Sequence, residues 1–332
     1  MIISKTPLRV SLFGGGTDYP AWYRENGGAV LASTIDKYCY ITCRYLPPFF
    51  PHKYRIVYSR VETVKDAREI KHPAIRAIIE SFKEDRGLEV HYDADLPAKT
   101  GMGSSSSFTV GFVNALKSLR GESIEKSELA KLAIHLEHEI MKENVGVQDQ
   151  ILAAHGNFNK IEFNTDNSFN VIPILLNPEK LRELQSHFML YFTGATRVAS
   201  DVAADQIKNI RNVSSHYKKI RELVDEALTI IEGPTASIFE LGKLLHDSWL
   251  LKRELSNSVT NPKIDNIYQS GLDAGAIGGK ILGAGGGGFI LFFATPETQQ
   301  KIRERLKHLI EVPFRFESEG SKIVLDKPNG FI

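Results

Sequence analysis

The sequence predicts an α+β fold in two domains, and three observations lead to this prediction. Segments rich in β-branched and aromatic residues recur through the first part of the chain, which is typical of strands. Apolar residues recur at helical spacing directly after the serine-rich segment at residues 104–107. The second half then mixes strands with helices, as expected of an α+β sandwich. With 332 residues, of which 42% are hydrophobic, the chain is long enough for one large domain or two ordinary ones.

In the first half, strands are predicted where β-branched residues cluster or apolar and polar residues alternate. These segments are residues 8–13, 30–35, 38–45, 55–59, 61–64 and 88–92, with short strands around Ile161 and Val171. Helices are predicted at residues 74–82, from residue 104 onward, along an apolar stripe between residues 129 and 140, and at 148–155. Gly156 ends the last of these helices.

A domain boundary is predicted at residues 176–181, around Asn177-Pro178, so that the domains span residues 1–178 and 179–332. Beyond the boundary, strands are predicted at residues 187–193, 280–282, 289–294, 314–316 and 323–325. Helices are predicted at residues 200–212, 217–232, 237–254, 261–274 and 298–310.

Composition and charge exclude several classes of partner. The chain has 41 basic and 40 acidic residues, with no block of like charge, so neither nucleic acid nor an anionic membrane is an expected partner. Cys39 and Cys43 fall on one face of a predicted strand and are interpreted as buried thiols in a reducing compartment. No signal peptide and no bilayer-spanning run are seen, so a cytoplasmic location is expected.

The strongest local signal is the segment at residues 96–114, LPAKTGMGSSSSFTVGFVN. Gly101 and Gly103 free the backbone from steric limits, and four serines then lead into a helix. A glycine-rich loop at the start of a helix presents unpaired N–H groups and the positive end of the helix dipole, which suits a phosphate group. Serine hydroxyls there could add donors or bind Mg²⁺. The alternative is an ordinary strand–turn–helix corner with a serine cap.

Two further glycine-rich segments lie toward the two ends of the chain. Gly14-Gly15-Gly16 precedes Asp18, and this pattern indicates either close approach of a ligand to the backbone or a tight turn capped by the aspartate. The second segment, at residues 283–288, has the spacing G-x-G-x-x-G but leads into a predicted strand, so it is not a dinucleotide-binding loop. No Walker-type phosphate loop is present, because Gly279-Lys280 is followed by Ile281.

Three stretches together resemble the GHMP kinases, the superfamily of galactokinase, homoserine kinase, mevalonate kinase and phosphomevalonate kinase. Residues 6–19, TPLRVSLFGGGTDY, resemble its first motif; Pro97 with GMGSSS at residues 101–106 is similar to its ATP-phosphate loop, P-x-x-x-G-L-G-S-S-A; and KILGAGGGG at residues 280–288 resembles its third motif. Met102 and Ser106 depart from that loop pattern, which has Leu and Ala there. The resemblance implies a ribosomal-S5-like N-terminal domain and a ferredoxin-like C-terminal domain, with the site between them.

The resemblance also implies roles for individual residues. Asp149 matches the catalytic aspartate, although an acid in the first turn of a helix is also favoured by the helix dipole, and Arg9 matches a cation near the transferred phosphate. Glu137 with Ser104 or Ser105 would hold Mg²⁺, and Glu139 is a rival for Glu137. The residues expected to bind ATP are Pro97, Gly101, Gly103, Ser104, Ser105 and Ser106. Those expected to bind the acceptor are Gly15, Gly16, Thr17, Asp18, Arg197, Gly285 and Gly286.

Within the superfamily, the pattern is most similar to kinases of D-glycero-D-manno-heptose 7-phosphate. The segments STIDKY at residues 33–38 and FTGATR at residues 192–197 contribute to this likeness, which implies phosphorylation of the anomeric hydroxyl for surface-polysaccharide synthesis. Arg197 would then bind the acceptor's own phosphate or form a structural ion pair. A kinase of L-fucose or a hexose, and a non-catalytic sensor of the same fold, remain alternatives. The expected partners are ATP and a sugar phosphate, and the assembly is left open, with a homodimer as one option.

Overall fold

Two β-sheets organise the chain, and a computed structural model describes residues 1–194, 199–233 and 237–327. The strands are β1 (Ile2–Phe13), β2 (Gly28–Tyr45), β3 (Tyr54–Val57), β4 (Val61–Val64), β5 (Leu88–Ala94), β6 (Phe158–Phe163), β7 (Phe169–Pro173), β8 (Phe188–Phe192), β9 (Gly278–Ile281), β10 (Phe289–Phe293), β11 (Ile310–Glu311), β12 (Phe316–Glu317) and β13 (Lys322–Asp326).

Helices cover the sheets. They are α1 (Pro20–Asn26), α2 (Pro73–Ser81), α3 (Ser104–Leu119), α4 (Lys126–His135), α5 (Gln148–His155), α6 (Pro178–Ser186), α7 (Ala199–Asn209), α8 (Ser214–Glu232), α9 (Ile238–Arg253), α10 (Pro262–Asp273) and α11 (Pro296–Arg305). A 3₁₀ turn occupies Ala67–Glu69, and a π-helical turn at Leu136–Ile140 follows α4 directly. In the described part of the chain, no helix is both long enough and apolar enough to cross a bilayer.

The first sheet has nine strands and is built around the long β2. One side of β2 pairs with β1, and the other side pairs in turn with β6, β12 and β5. All these pairings are antiparallel, whereas β3 and β5 run parallel, so the sheet is mixed, as expected. Helix α3 packs on β1 and β2, and α5 packs on α3 and β1. This packing brings the first turns of α3 and α5 to the middle of β1.

The second sheet has four antiparallel strands in the order β11-β8-β10-β9. Counted along the chain these are the fourth, first, third and second strands, with helices after the first and the third. That order and connectivity define a ferredoxin-like sandwich, so the predicted α+β fold is confirmed. The strands β9 and β10 are fully buried, and the glycine-rich segment at residues 283–288 connects them.

Several features differ from the sequence-based expectation, among them helix α1 and strand β11, which were not predicted. The strands predicted at residues 30–35 and 38–45 form one strand of 18 residues, because Asp36 and Lys37 bulge out where Pro7 pairs with Tyr38 and Leu8 with Ile35. Helix α6 was not predicted; its N-cap is Asn177, whose side chain accepts from the N–H of Lys180. Finally, β12 and β13 leave the second half of the chain and pair with β2 and β1.

The prediction that Cys39 and Cys43 are buried thiols on a strand is confirmed. Cys39 and Cys43 are free and buried in β2, and burial raises the pKa of both. They are therefore inert core residues at neutral pH. The proposed division of the chain at residues 178 and 179 stays a prediction.

The stability of the first domain is expected to depend on the contact between α3 and the large sheet. Leu116 on α3 is fully buried, and we expect Leu116→Ala to lower the free energy of unfolding by about 2–5 kcal/mol, because it leaves a cavity. Urea unfolding followed by circular dichroism measures this loss.

Leu175, whose side chain is 88% exposed, offers a matched control. Leu175→Ala is expected to change the free energy of unfolding by less than about 0.5 kcal/mol. Equal effects of the two substitutions would contradict the buried position of Leu116.

Candidate active site

Arg9 and Asp149 form a two-pronged ion pair at the centre of the molecule. Arg9 lies in β1 and is almost fully buried, and Asp149 lies in the first turn of α5 with its side chain 22% exposed. The guanidinium Nε and Nη2 donate to the two carboxylate oxygens, each at 2.7 Å, and Nη1 donates to the carbonyl of Gly101 at 2.6 Å. Arg9 therefore fixes the orientation of the Asp149 carboxylate and links it to the serine-bearing loop.

The predicted phosphate loop lies directly against this ion pair. Gly101 and Gly103 have φ values of +77° and +74°, and Gly103 is the N-cap of α3. A β carbon at Gly103 would lie 3.2 Å from Arg9 Cγ and 3.3 Å from a carboxylate oxygen of Asp149. The first N–H groups of α3 have no partner within the helix, a property that suits a phosphate group. Pro97 lies at the edge of this loop, where its carbonyl accepts from the Thr100 hydroxyl at 2.7 Å.

The glycine-rich segment of residues 283–288 holds the other side of the phosphate loop. A β carbon on Gly283 would lie 2.5 Å from Gly101 Cα, and one on Gly288 would lie 2.1 Å from the Thr100 carbonyl oxygen. The amide of Phe289 donates to that same carbonyl at 3.2 Å. Here the two backbones touch, which only glycine permits. The nucleotide loop of the first half is thus supported by the second sheet.

Gly285 and Gly286 contact a different part of the molecule. The amide of Gly286 donates to the carbonyl of Val259 at 2.8 Å, and a β carbon on Gly285 would lie 2.6 Å from the same oxygen. Their expected contact with the acceptor stays a prediction.

Glu137 is the carboxylate nearest to the serines. It lies in the π-helical turn, is buried, and accepts from the Ser106 hydroxyl at 2.9 Å and from Gln150 Nε2 at 2.5 Å. Burial raises the pKa of Glu137 to about 7. Ser104 is buried and Ser105 is exposed, and the hydroxyl that contacts Glu137 belongs to Ser106, which was predicted only to bind ATP. The pairing of Ser105 with Glu137 at a metal ion stays a prediction.

The chemistry of Glu137 fits a magnesium ion. Its Oε1 is buried without a hydrogen-bond partner, and hydroxyl groups stand beside it, so the donors are the hard oxygens that Mg²⁺ prefers alongside phosphate. The rival Glu139 is exposed and pairs with Lys142 at 3.3 Å. Within residues 1–194, 199–233 and 237–327, no three His, Cys, Asp or Glu side chains cluster as a complete metal site. The ion would therefore depend on ATP for further ligands.

Asp18 lies near the start of α5, where its Oδ2 accepts from the amide of Gln148 at 3.4 Å. It is 2% exposed and accepts from the amide of Gly16 at 2.9 Å, and burial raises the pKa of its carboxyl. The Thr17 hydroxyl bridges the backbones of Gly14 and Ala29, each at 2.8 Å, so this side chain holds the turn. Gly15 and Gly16 line the same turn. Arg197 lies outside the described residues.

Sequence reasoning missed Lys252 in α9. Its ammonium group is buried beside Gly15 and donates to the carbonyl of Gly283 at 2.6 Å. A signal was present in the sequence, because Lys252 continues the apolar stripe of Leu241, Leu245 and Trp249 at helical spacing. A lysine on such a stripe is buried together with it.

The arrangement defines a class of protein. A helix N-terminus suited to phosphate, a carboxylate held beside it and a buried polar turn facing that carboxylate are the parts of a small-molecule phosphotransferase. Two sequence profiles match: "GHMP kinases N terminal domain" over residues 68–157 and "GHMP kinases C terminal" over residues 236–311.

Relatives of known name cover nearly the whole chain. The chain is 30% identical to the D-glycero-alpha-D-manno-heptose 7-phosphate kinase of Campylobacter jejuni, over 97% of this chain and 98% of that protein. It is 26% identical to the bifunctional fucokinase/GDP-fucose pyrophosphorylase of Arabidopsis thaliana, over 92% of this chain but only 31% of that protein. The fold matches a crystal structure of a D-glycero-D-manno-heptose 1-phosphate kinase from Bacteroides thetaiotaomicron with a TM-score of 0.80, 22% identity and coverage of 98% and 99% of the two chains.

The chain belongs to the GHMP kinases. It is an ATP-dependent phosphotransferase with an alcohol group as acceptor, of the sugar-kinase type.

The contact between the two glycine loops predicts the behaviour of Gly283→Ala. The added methyl group would meet Gly101 Cα at 2.5 Å, so the phosphate loop must shift. We expect the affinity for ATP, measured by calorimetry, to fall by about tenfold or more, which corresponds to at least 1.4 kcal/mol.

Gly121 provides a control for backbone strain alone. Its φ of +75° resembles the +70° of Gly283, but a β carbon there would meet nothing within 4 Å. Gly121→Ala should therefore leave ATP affinity unchanged. Equal losses in the two variants would show that the contact with Gly101 does not matter.

Proposed function

We propose that this chain transfers the γ-phosphoryl group of ATP to the anomeric hydroxyl of D-glycero-D-manno-heptose 7-phosphate, giving the 1,7-bisphosphate. The product would serve nucleotide-activated heptose and surface-polysaccharide synthesis in the cytoplasm. The observation that carries the chemistry is the Asp149 carboxylate, held by Arg9 beside the N-terminus of α3. The heptose acceptor is supported by the full-length relative at 30% identity and by the motifs at residues 6–19 and 192–197.

In this reaction the residues around the phosphate loop act on ATP. The first amides of α3 and the serine hydroxyls would bind the phosphates. Glu137 with a neighbouring serine would hold Mg²⁺, which when bound neutralises charge on the β- and γ-phosphates.

Asp149 acts on the acceptor. Its carboxylate accepts the proton of the anomeric hydroxyl while that oxygen attacks the γ-phosphorus and the bond to ADP breaks. Because Arg9 donates to both carboxylate oxygens, it fixes the orientation of the carboxylate. Asp18 would accept hydrogen bonds from other hydroxyls of the sugar. A sensor that only binds sugar needs no such base, so this arrangement favours a catalyst.

A kinase for L-fucose is the second candidate. It is supported by the 26% identity with the Arabidopsis fucokinase over 92% of this chain. L-Fucose carries no phosphate, so the two candidates differ in whether the site binds a second phosphate group on the acceptor.

An assay of ADP release with a panel of acceptors tests the proposal. The panel contains heptose 7-phosphate, the unphosphorylated heptose, L-fucose and hexose phosphates, and ³¹P NMR locates the new phosphate. We expect the highest kcat/KM with heptose 7-phosphate and a product phosphorylated at the anomeric oxygen. In Asp149→Asn, kcat should fall by about a hundredfold or more with ATP affinity retained, because the proton acceptor is lost.

Asp166→Asn, at an exposed turn position, is the matched control and should leave kcat unchanged. Preference for L-fucose would overturn the heptose assignment. Near-normal turnover in Asp149→Asn would remove Asp149 from the mechanism.

A second experiment tests the metal role of Glu137. We expect Glu137→Gln to raise the Mg²⁺ concentration for half-maximal velocity by about tenfold, because a neutral amide is a weaker ligand than a carboxylate. Glu139→Gln, two residues away and exposed, should leave that concentration unchanged. The reverse result would make Glu139 the ligand.

A further inference from the structure

Lys252 occupies a position where a lysine is costly. It lies near the end of α9, is 6% exposed, and shares the buried stripe of that helix with Leu245 and Trp249. Lysine is almost never fully buried unless a partner compensates its charge, because a buried ammonium group loses its hydration. Its position therefore needs an explanation beyond packing.

The Lys252 ammonium group has more hydrogen-bond donors than its contacts use. Its Nζ donates to the carbonyl of Gly283 at 2.6 Å. An ammonium group has three donors, so two are left. Among residues 1–194, 199–233 and 237–327, no carboxylate forms an ion pair with Lys252. By contrast, Arg9 directs three donors to Asp149 and Gly101.

A small polar space lies in front of the Lys252 ammonium group. A β carbon on Gly15 would lie 3.7 Å from Lys252 Nζ, 3.5 Å from Ser11 Oγ and 3.9 Å from Gln148 Nε2. The glycine keeps this space free of a side chain. Ser11 Oγ and Gln148 Oε1 are both buried without a hydrogen-bond partner. Polar groups of three elements, β1, α5 and α9, thus lie around one place, where Ser11 Oγ and Lys252 Nζ can donate to ligand oxygens.

This space lies between the predicted phosphate loop and the turn predicted to bind the acceptor. On one side, Gly283, to which Lys252 is anchored, touches Gly101 of the phosphate loop. On the other side, Gly15 belongs to the turn that carries Asp18. Gln148 directly precedes Asp149 in α5. An ammonium group here faces the path from nucleotide to acceptor.

We propose that Lys252 is a catalytic residue of this kinase, whose ammonium group donates to the oxygens of the γ-phosphoryl group as it passes from ADP to the acceptor oxygen. This inference deepens the proposed function and rests on it. Charge is balanced, because the phosphoryl group carries its negative charge across and Lys252 keeps its proton throughout. In this arrangement Arg9 orients Asp149. Lys252 supplies the cation near the transferred phosphate, a role for which the sequence had suggested Arg9.

The charges around Lys252 fit this role. Asp18 and Asp149 favour its protonated form and Arg9 opposes it, while burial lowers its pKa to about 8. Lys280 on β9 is also near, but burial lowers its pKa well below the usual value, and its Nζ donates to the carbonyl of Leu12. Lys252 is thus charged below about pH 8 in the free protein and loses its charge above. Bound phosphate raises this pKa, since an anion favours the ammonium form.

Three variants test the proposal: Lys252→Met, Lys252→Arg and, as control, Lys243→Met, which removes an exposed lysine of the same helix. For Lys252→Met we expect kcat to fall by about a hundredfold to a thousandfold, with the Kd for MgADP within about twofold of normal. The wild-type kcat/KM should fall as pH rises through about 8. In Lys252→Arg this alkaline limb, the fall of kcat/KM with rising pH, should move to higher pH, because arginine stays charged. Lys243→Met should match the wild type.

A second measurement needs no sugar. The ratio of the Kd for MgADP to the Kd for the non-hydrolysable analogue MgAMPPNP reports the contact with the γ-phosphate, and it should fall by about fivefold or more in Lys252→Met, equivalent to about 1 kcal/mol. This ratio decides the role of Lys252 even if the protein phosphorylates none of the sugars tested, an outcome that would overturn only the proposed function. If the protein prefers another sugar, the kinetic comparison is made with that sugar. An unchanged ratio would overturn the role of Lys252. If Lys252→Met does not fold, the pH profile of Lys252→Arg decides, and an unmoved alkaline limb would overturn the proposal.

Discussion

The close approach of two backbones, at Gly101 and Gly283, is the constraint on which the rest of the site depends. At this point the phosphate loop of the first half meets the loop between β9 and β10, with no side chain between them. The hydrogen bond from the amide of Phe289 to Thr100 then attaches the start of β10 to the same loop. Since β10 is fully buried, the phosphate loop rests on a rigid support. The predicted phosphate loop is therefore supported by both sheets, and the glycines at the contact are required by geometry.

The ion pair of Arg9 and Asp149 depends on that support, because Arg9 also binds the Gly101 carbonyl. A lysine could not replace this arginine, since a planar fork is needed to contact two carboxylate oxygens and a carbonyl together. Around the pair stand Asp18, Glu137 and Lys252, whose pKa values are all shifted by burial. Such groups destabilise the folded state when unpaired, and their convergence in one region is typical of an active site. Residues from the two halves of the chain contribute to it.

Local sequence signals predicted much of this architecture. The bounds of α5 and the start of α3 after Gly103 agree with the pattern-based expectation. Long-range pairing was not predictable, since nothing in the residues of β12 and β13 indicates that they return to β2 and β1. Helix α6 was missed because Asn177-Pro178 was interpreted as a break between domains, whereas Asn at the N-cap followed by Pro also begins a helix. Both errors arise because a local pattern does not determine its structural context. The dipeptide Asn177-Pro178, for example, is compatible with a break between domains and with the start of a helix.

The limits of prediction within the site have a similar cause. Neighbouring residues of a helix point about 100° apart, so which of the four consecutive serines faces Glu137 depends on where the helix begins. That serine is Ser106, one of the two positions at which the chain departs from the family's phosphate-loop pattern. Its hydroxyl and the Gln150 amide occupy Glu137 Oε2, and Oε1 is left buried without a partner. A buried carboxylate oxygen in this state is unfavourable unless a cation or a donor completes it. The extra hydroxyl therefore fixes the rotamer of Glu137 and leaves its second oxygen available to a ligand.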